Sequence, residues 1–115
     1  MAVTPKILYQ GQPGTTDTDL YTVPTGKKVH ITSIRAVNND TATKWFKLNV
    51  VPNGGTISNA DVYVNTTKLV GTGDTNGGGK YSDTDPFPLN TAGDKITGIQ
   101  ETSGAITVTI IGLEE

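Results

Sequence analysis

In three separate stretches of this chain, apolar and polar residues alternate one by one. Phe46, Leu48 and Val50 alternate with Lys47 and Asn49. Val62 and Val64 alternate with Asp61, Tyr63 and Asn65, and Ile106, Val108 and Ile110 alternate with Thr107 and Thr109. Side chains along a strand point to opposite faces in turn, so this period sets one apolar face on a core and one polar face in solvent. No stretch of ten residues carries the period of an amphipathic helix. Composition agrees: Thr occurs 20 times, and Val plus Ile number 19 against 12 for Leu plus Ala. β-branched side chains suit a pleated sheet and lose rotamer freedom in a helix. Short alternating runs between Gly and Pro turns predict an all-β chain, a single antiparallel β-sandwich, jelly-roll-like, of about eight strands. Its 115 residues suit one domain, 1–115, with an N-terminal segment 1–16 and a Gly-rich loop 71–79.

The strands predicted are Lys6–Gln10, Asp19–Val23, Lys27–Asn38, Lys44–Val51, Ala60–Thr66 and Phe87–Leu89. Lys68–Val70 continues the fifth after a bend. Phe87–Leu89 follows Pro86 and contains Pro88, which suits a sheet edge. Lys95–Thr102 and Ala105–Leu113 are expected to form a closing hairpin around Ser103–Gly104. Within Lys27–Asn38 the apolar parity switches: Val29 and Ile31 share one face, then Ile34 and Ala36 carry it on with the opposite parity. A regular strand cannot do this, so a β-bulge is expected near Thr32–Ser33. The expected core is Val29, Ile31, Ile34, Phe46, Leu48, Val50, Val62, Val64, Ile96, Ile99, Ile106, Val108 and Ile110.

One internal similarity stands out. Asp17 to Gly26 and Asp83 to Gly93 both open Asp-Thr-Asp, place an aromatic and an aliphatic residue at alternate positions, and end in a Gly turn before a long strand. It is read either as chance in a Thr-, Asp- and Gly-rich chain or as two quasi-equivalent Greek-key halves.

Chemistry is scarce. Nine basic and 11 acidic residues leave a net charge of −2, with no basic stripe for a nucleic-acid backbone. Cys is absent, which removes disulfides and thiolate chemistry. The longest apolar runs are three residues, against about 20 for a membrane helix. Met1–Gln10 lacks the charged-then-apolar order of a signal peptide, so the expectation is a soluble, unprocessed product. The Gly-rich loop fails the phosphate-loop pattern: Asp74 stands where a Gly is needed, and Tyr81 follows Lys80. It reads as a mobile surface loop. Asp17/Asp19 and Asp83/Asp85 lack the Gly and Glu of a calcium loop and read as turn residues. His30, the one histidine, has the parity of an exposed strand residue and no nucleophile or second ligand at a useful spacing. No catalytic residue, metal ligand or cofactor site is assigned, and the expectation is a protein that is not an enzyme.

Trp45 and Tyr63 take the outward parity of their strands, with Lys44 and Lys47 flanking Trp45. Three readings are open: a subunit contact, a sugar-stacking platform, or cover for the end of the sheet. Burying an exposed Trp contributes about 2–3 kcal/mol, and flanking lysines resemble a polar rim around an apolar anchor. Trp45, Tyr63, Lys44 and Lys47 are therefore the candidate interface residues.

The segment Leu20-Tyr21-Thr22-Val23-Pro24-Thr25-Gly26-Lys27-Lys28 is followed by Ile31-Thr32-Ser33-Ile34 and Asn38-Asn39. Near the end stands Leu89-Asn90-Thr91-Ala92-Gly93-Asp94. This order of strand and turn motifs, from about Leu20 to Gly112, resembles small β-sandwich virion structural proteins of tailed bacteriophages. The Gly71–Gly79 insertion departs from their compact pattern. The resemblance implies a non-enzymatic structural protein on the particle exterior: head decoration or cement, or a neck, tail or baseplate accessory. It implies a virion location and no catalytic residues. The partners implied are copies of itself, as a trimer, and major capsid or tail and neck proteins, with neither nucleic acid nor membrane. The alternative is a carbohydrate-binding β-sandwich that recognises a host surface glycan.

Overall fold

The computed structural model describes residues 4–57, 61–72 and 79–115. Among these are nine strands and no α-helix. They are β1 (Thr4–Gly11), β2 (Thr18–Thr22), β3 (Val29–Asn38), β4 (Lys44–Val51), β5 (Val62–Leu69), β6 (Lys80–Asp83), β7 (Phe87–Leu89), β8 (Lys95–Gln100) and β9 (Ile106–Glu114). Sheet I has the order β1-β9-β3-β6, with β7 also on β3, and sheet II has the order β2-β8-β4-β5. Every pairing is antiparallel. β6 and β7 lie on the same side of β3, so they act as one interrupted strand, and the order is that of an eight-stranded jelly roll.

The bulge expected from the parity switch is present. Ile31 pairs with Gly112 and Ser33 with Ile111, so Thr32 and Ser33 together face one step of β9. Thr32 Oγ1 donates to the Ile111 carbonyl at 3.2 Å. With the extra residue absorbed, Val29, Ile31, Ile34 and Ala36 all reach the core. β1 bulges at the same level on the other side of β9, between Ile7 and Tyr9. The break between β6 and β7 also falls opposite the β3 bulge, and the Asp85 amide donates to Asp83 Oδ1 at 2.9 Å within it.

The internal similarity corresponds to topology. β2, from the first copy, pairs with β8, which follows the second; β7, from the second, pairs with β3, which follows the first. Each short strand leads into the long strand that follows it through a Gly in the left-handed region, Gly26 at φ 80° before β3 and Gly93 at φ 94° before β8. The two turns bond each other: the Val23 amide donates to the Asp94 carbonyl at 2.9 Å, and the Gly93 amide to the Val23 carbonyl at 3.0 Å. Val23 and Leu89, equivalent in the two copies, are both buried in the core.

Four expectations are corrected. First, β8 and β9 do not form a hairpin. They belong to different sheets, and Thr102–Ala105 is a corner between them. Gln100, buried at that corner, holds it. Its Nε2 donates to the carbonyls of Pro13 (2.6 Å) and Ile106 (3.2 Å), and its Oε1 accepts from the Ile106 amide (2.7 Å). Second, Lys80–Asp83 forms a strand that the pattern did not suggest, because an edge strand needs few apolar residues. Third, Ile99 pairs with Lys47 and Val62 with Asn49, on the outer side of sheet II, while Val50 only borders the core. Val51, Leu20, Val23, Leu69 and Leu89 are buried instead. Fourth, the bend expected before Lys68 is a register shift within one continuous strand, between Thr67 and Val64 of β5. Of the Gly-rich loop, residues 73–78 lie outside the described residues, and so does the expectation made for them.

Candidate interaction surfaces

Trp45 stands on the outer face of sheet II, half-buried and apart from the core cluster. Glu101 fixes its backbone: the Trp45 amide donates to Glu101 Oε1 at 3.3 Å, and the Trp45 carbonyl accepts from the Glu101 amide at 3.0 Å. Lys68 pairs with it across β5, and Lys47 and Ile99 share its face two residues along. Lys44 does not flank it. Lys44 pairs with Leu69, a core residue, so it lies on the opposite side of β4.

Tyr63 is not outward. Between the Leu48–Val64 and Asn49–Val62 pairs it is the extra residue of a bulge, and its ring packs against the core. The ring lies 4.6 Å from that of Phe87 in β7, centroid to centroid. Its hydroxyl donates to Asp83 Oδ2 at 2.6 Å, and the Tyr81 hydroxyl reaches the same oxygen at 3.3 Å. Tyr63 therefore clasps the edge of sheet II to the edge of sheet I. The clasp holds the Asp83 carboxyl below the usual carboxylate range, chiefly through the Tyr63 hydrogen bond. Burial, and then Asp83, push the Tyr63 phenol well above its ordinary value. Thus Trp45 and Lys47 of the four candidate residues share a surface, while Tyr63 and Lys44 do not join them.

A surface not singled out beforehand lies on the outer face of sheet I. Ile7 pairs with Ile111 and Pro5 with Leu113. Ile7 is 55% exposed, the most exposed large apolar side chain among the described residues. The signal was legible: if Thr107 and Thr109 face outward, so do Ile111 and Leu113. His30 pairs with Leu113 on this exposed face, as its parity predicts. It borders a cleft of about 310 Å³ together with Lys28, Asn90 and Glu115. That cleft offers no hydroxyl nucleophile. A second cleft, of about 410 Å³, lies on the same sheet between β3 and β6.

Three of the four paired aspartate side chains are engaged in structure. Asp17 accepts from Asn49 at 3.3 Å, Asp19 forms an ion pair with Lys95 at 3.3 Å, and Asp83 holds the tyrosine clasp. Among the described residues no group of three or more His, Asp or Glu is arranged to hold a metal ion. No described helix is long and apolar enough to cross a membrane.

No protein-family model and no curated protein matches the chain. Solved structures share its fold. A subunit of Bacillus endospore appendages, described as a family of disulfide-linked pili, matches with a TM-score of 0.52 at 12% identity, over 97% of this chain and 86% of that one. The virus-like particle of the extra small virus of the giant freshwater prawn Macrobrachium rosenbergii matches with a TM-score of 0.49 at 10% identity, over 99% of this chain and 79% of that one. This chain has no Cys, so it has no counterpart to the disulfide links of those pili.

Proposed function

We propose that this chain is a non-enzymatic structural protein that assembles with copies of itself on the exterior of a particle. Within that class, the strand and turn motifs favour a tailed-bacteriophage virion component: head decoration or cement, or a neck, tail or baseplate accessory. The observation that carries the reading is an apolar strip on the outer face of sheet I, exposed Pro5 and Ile7 with half-buried Leu113 and Ile111 beside them, on a jelly roll whose core is already filled. Such a strip is stable in water at a cost, and burial against another subunit recovers about 25 cal/mol per Å². Many such small contacts add up in a particle.

Sedimentation across a dilution series, for wild type and Ile111→Glu, tests assembly. Wild type is expected to associate and Ile111→Glu to associate less. The mass reached also reads the symmetry, for which threefold is the expectation. A wild type that stays monomeric at every concentration removes the self-assembly reading. Peptide mass spectrometry of purified particles tests the virion location, and its absence from them removes that location. A glycan-binding module is the second reading, favoured by Trp45 on an outer sheet face beside Lys47. Glycan-array binding that Trp45→Ala abolishes is its signature.

A further inference from the structure

The β3–β6 cleft holds two cations without a counter-ion. Arg35 pairs with Ser82 and Val37 with Lys80, so all four side chains share the outer face of sheet I. Arg35 and Lys80 sit at diagonal positions, where Cβ atoms lie roughly 7–8 Å apart or less, and like charges there repel. The ion pairs among the described residues, Lys6–Glu114 and Lys95–Asp19, involve neither. On the other side of β3, the β9 residues that pair with Arg35 and Val37 are Thr109 and Thr107, both uncharged. In a chain of net charge −2, this is a local positive site beside Val37, which is 43% exposed.

We propose that this cleft receives a carboxylate from a second copy of the chain, that of Asp85, and that the contact is reciprocal. A guanidinium fork beside an ammonium suits a carboxylate. Val37 suits an apolar neighbour of that carboxylate, and Asp85 is followed by Pro86, both exposed. Asp85 is also free to leave its own molecule. Its amide is bonded to Asp83, but its carboxylate has no hydrogen bond or ion pair among the described residues. Glu115 is in a similar state but already lines the other cleft with Lys28. Asp17, Asp19, Asp83, Asp94, Glu101 and Glu114 all have partners within the chain.

The cleft and Asp85 lie on one edge of sheet I, three residues of chain apart counting from Ser82. A twofold axis beside that edge brings the Asp85 of each copy to the cleft of the other, the reciprocity of an isologous contact. The inference rests on the self-assembly reading and gives it a twofold contact, compatible with a threefold one in a hexamer or larger particle.

The test is sedimentation velocity on the full chain, at low and high salt, with circular dichroism to confirm that each variant is folded. Wild-type association is expected to weaken with salt. R35E/K80E and D85K are each expected to raise the dissociation constant at least about tenfold. Mixing these two variants one to one is expected to restore association, because the reversed charges then meet across the contact. Association of R35E/K80E as tight as wild type overturns the cleft as a contact while self-assembly stands. Loss in R35E/K80E but not in D85K overturns Asp85 as the occupant. A wild type that is monomeric at all concentrations overturns this contact and the self-assembly reading together.

Discussion

At the scale of single residues, stability concentrates in buried polar side chains that bond backbone across sequence. Gln100 satisfies three backbone groups with one amide, joining the loop at Pro13 to the start of β9. Gln100→Leu leaves those groups buried and unpaired, at about 1–3 kcal/mol for the first and less for each that relaxes. A loss of about 3 kcal/mol in urea unfolding is expected, and a loss under 1 kcal/mol would show that the corner is held otherwise. The tyrosine clasp makes stability depend on pH at both ends. Asp83 has a lowered folded pKa, so its contribution is complete above the ordinary Asp value near 3.9 and is lost as pH falls through the folded value. Tyr21 is pushed up to about 12, first by burial and then by Glu114, and Tyr63 is raised too. An unfolded chain releases these phenol protons near pH 10 while the folded one keeps them. Stability is therefore expected to fall as pH rises from about 10 through 12. Tyr63→Phe is expected to flatten both limbs in unfolding measured against pH, and unchanged limbs would place the dependence elsewhere.

At the scale of elements, the extra residue in β3 decides which face of that strand is apolar. Without it, either Val29 and Ile31 or Ile34 and Ala36 turn outward. Deleting Thr32 is therefore expected to abolish cooperative unfolding, while Thr32→Val, which loses only the bond to the Ile111 carbonyl, costs about 1 kcal/mol. Thermal melts of the two variants distinguish a bulge that matters from one that is merely tolerated. The interruption of the β6–β7 strand, with Pro86 and Pro88, leaves that edge too short and irregular to extend by backbone pairing. The β1 and β2 edges carry bulges, and β5 shifts register twice. Contacts between copies are therefore expected through side chains on faces and rims.

At the scale of the whole molecule, the chain closes on itself. β1 pairs with β9, so Thr4 lies opposite Glu114, and the two Gly turns that bond each other come from opposite halves of the sequence. Such pairings require long loops to close before any reward, which slows folding. Refolding followed by the single tryptophan is expected in the range of milliseconds to seconds, and a microsecond phase carrying the full amplitude would contradict this. A solvent-facing apolar strip on one sheet and a half-buried Trp on the other leave both broad faces open to contact. Ile111→Glu and Trp45→Ala are thus expected to act independently, each weakening association when measured alone.

Alternation, the turns and the β3 bulge were legible because they are local: period two and a parity switch are properties of a few neighbouring residues. The Asp-Thr-Asp similarity was legible as a pattern, and its reciprocal pairing of β2 with β8 and β7 with β3 follows from two copies facing each other. The outward Ile111 and Leu113 were legible too, by carrying the β9 parity to its end. Tertiary structure alone decided which strands are partners. Ser103–Gly104 reads equally well as a hairpin or a corner, because its local conformation is compatible with either, and the buried amide of Gln100 reaching Pro13 selects the corner. Strict parity assigns Tyr63 to solvent. A bulge against β4 turned it inward, and a bulge depends on the register of two strands rather than on either one. Lys44, Val62 and Ile99 follow the same rule, since a residue's face is set by the partner it meets across the sheet. The cationic cleft arises likewise, from Arg35 and Lys80, far apart in sequence and neighbours only after β3 and β6 have paired.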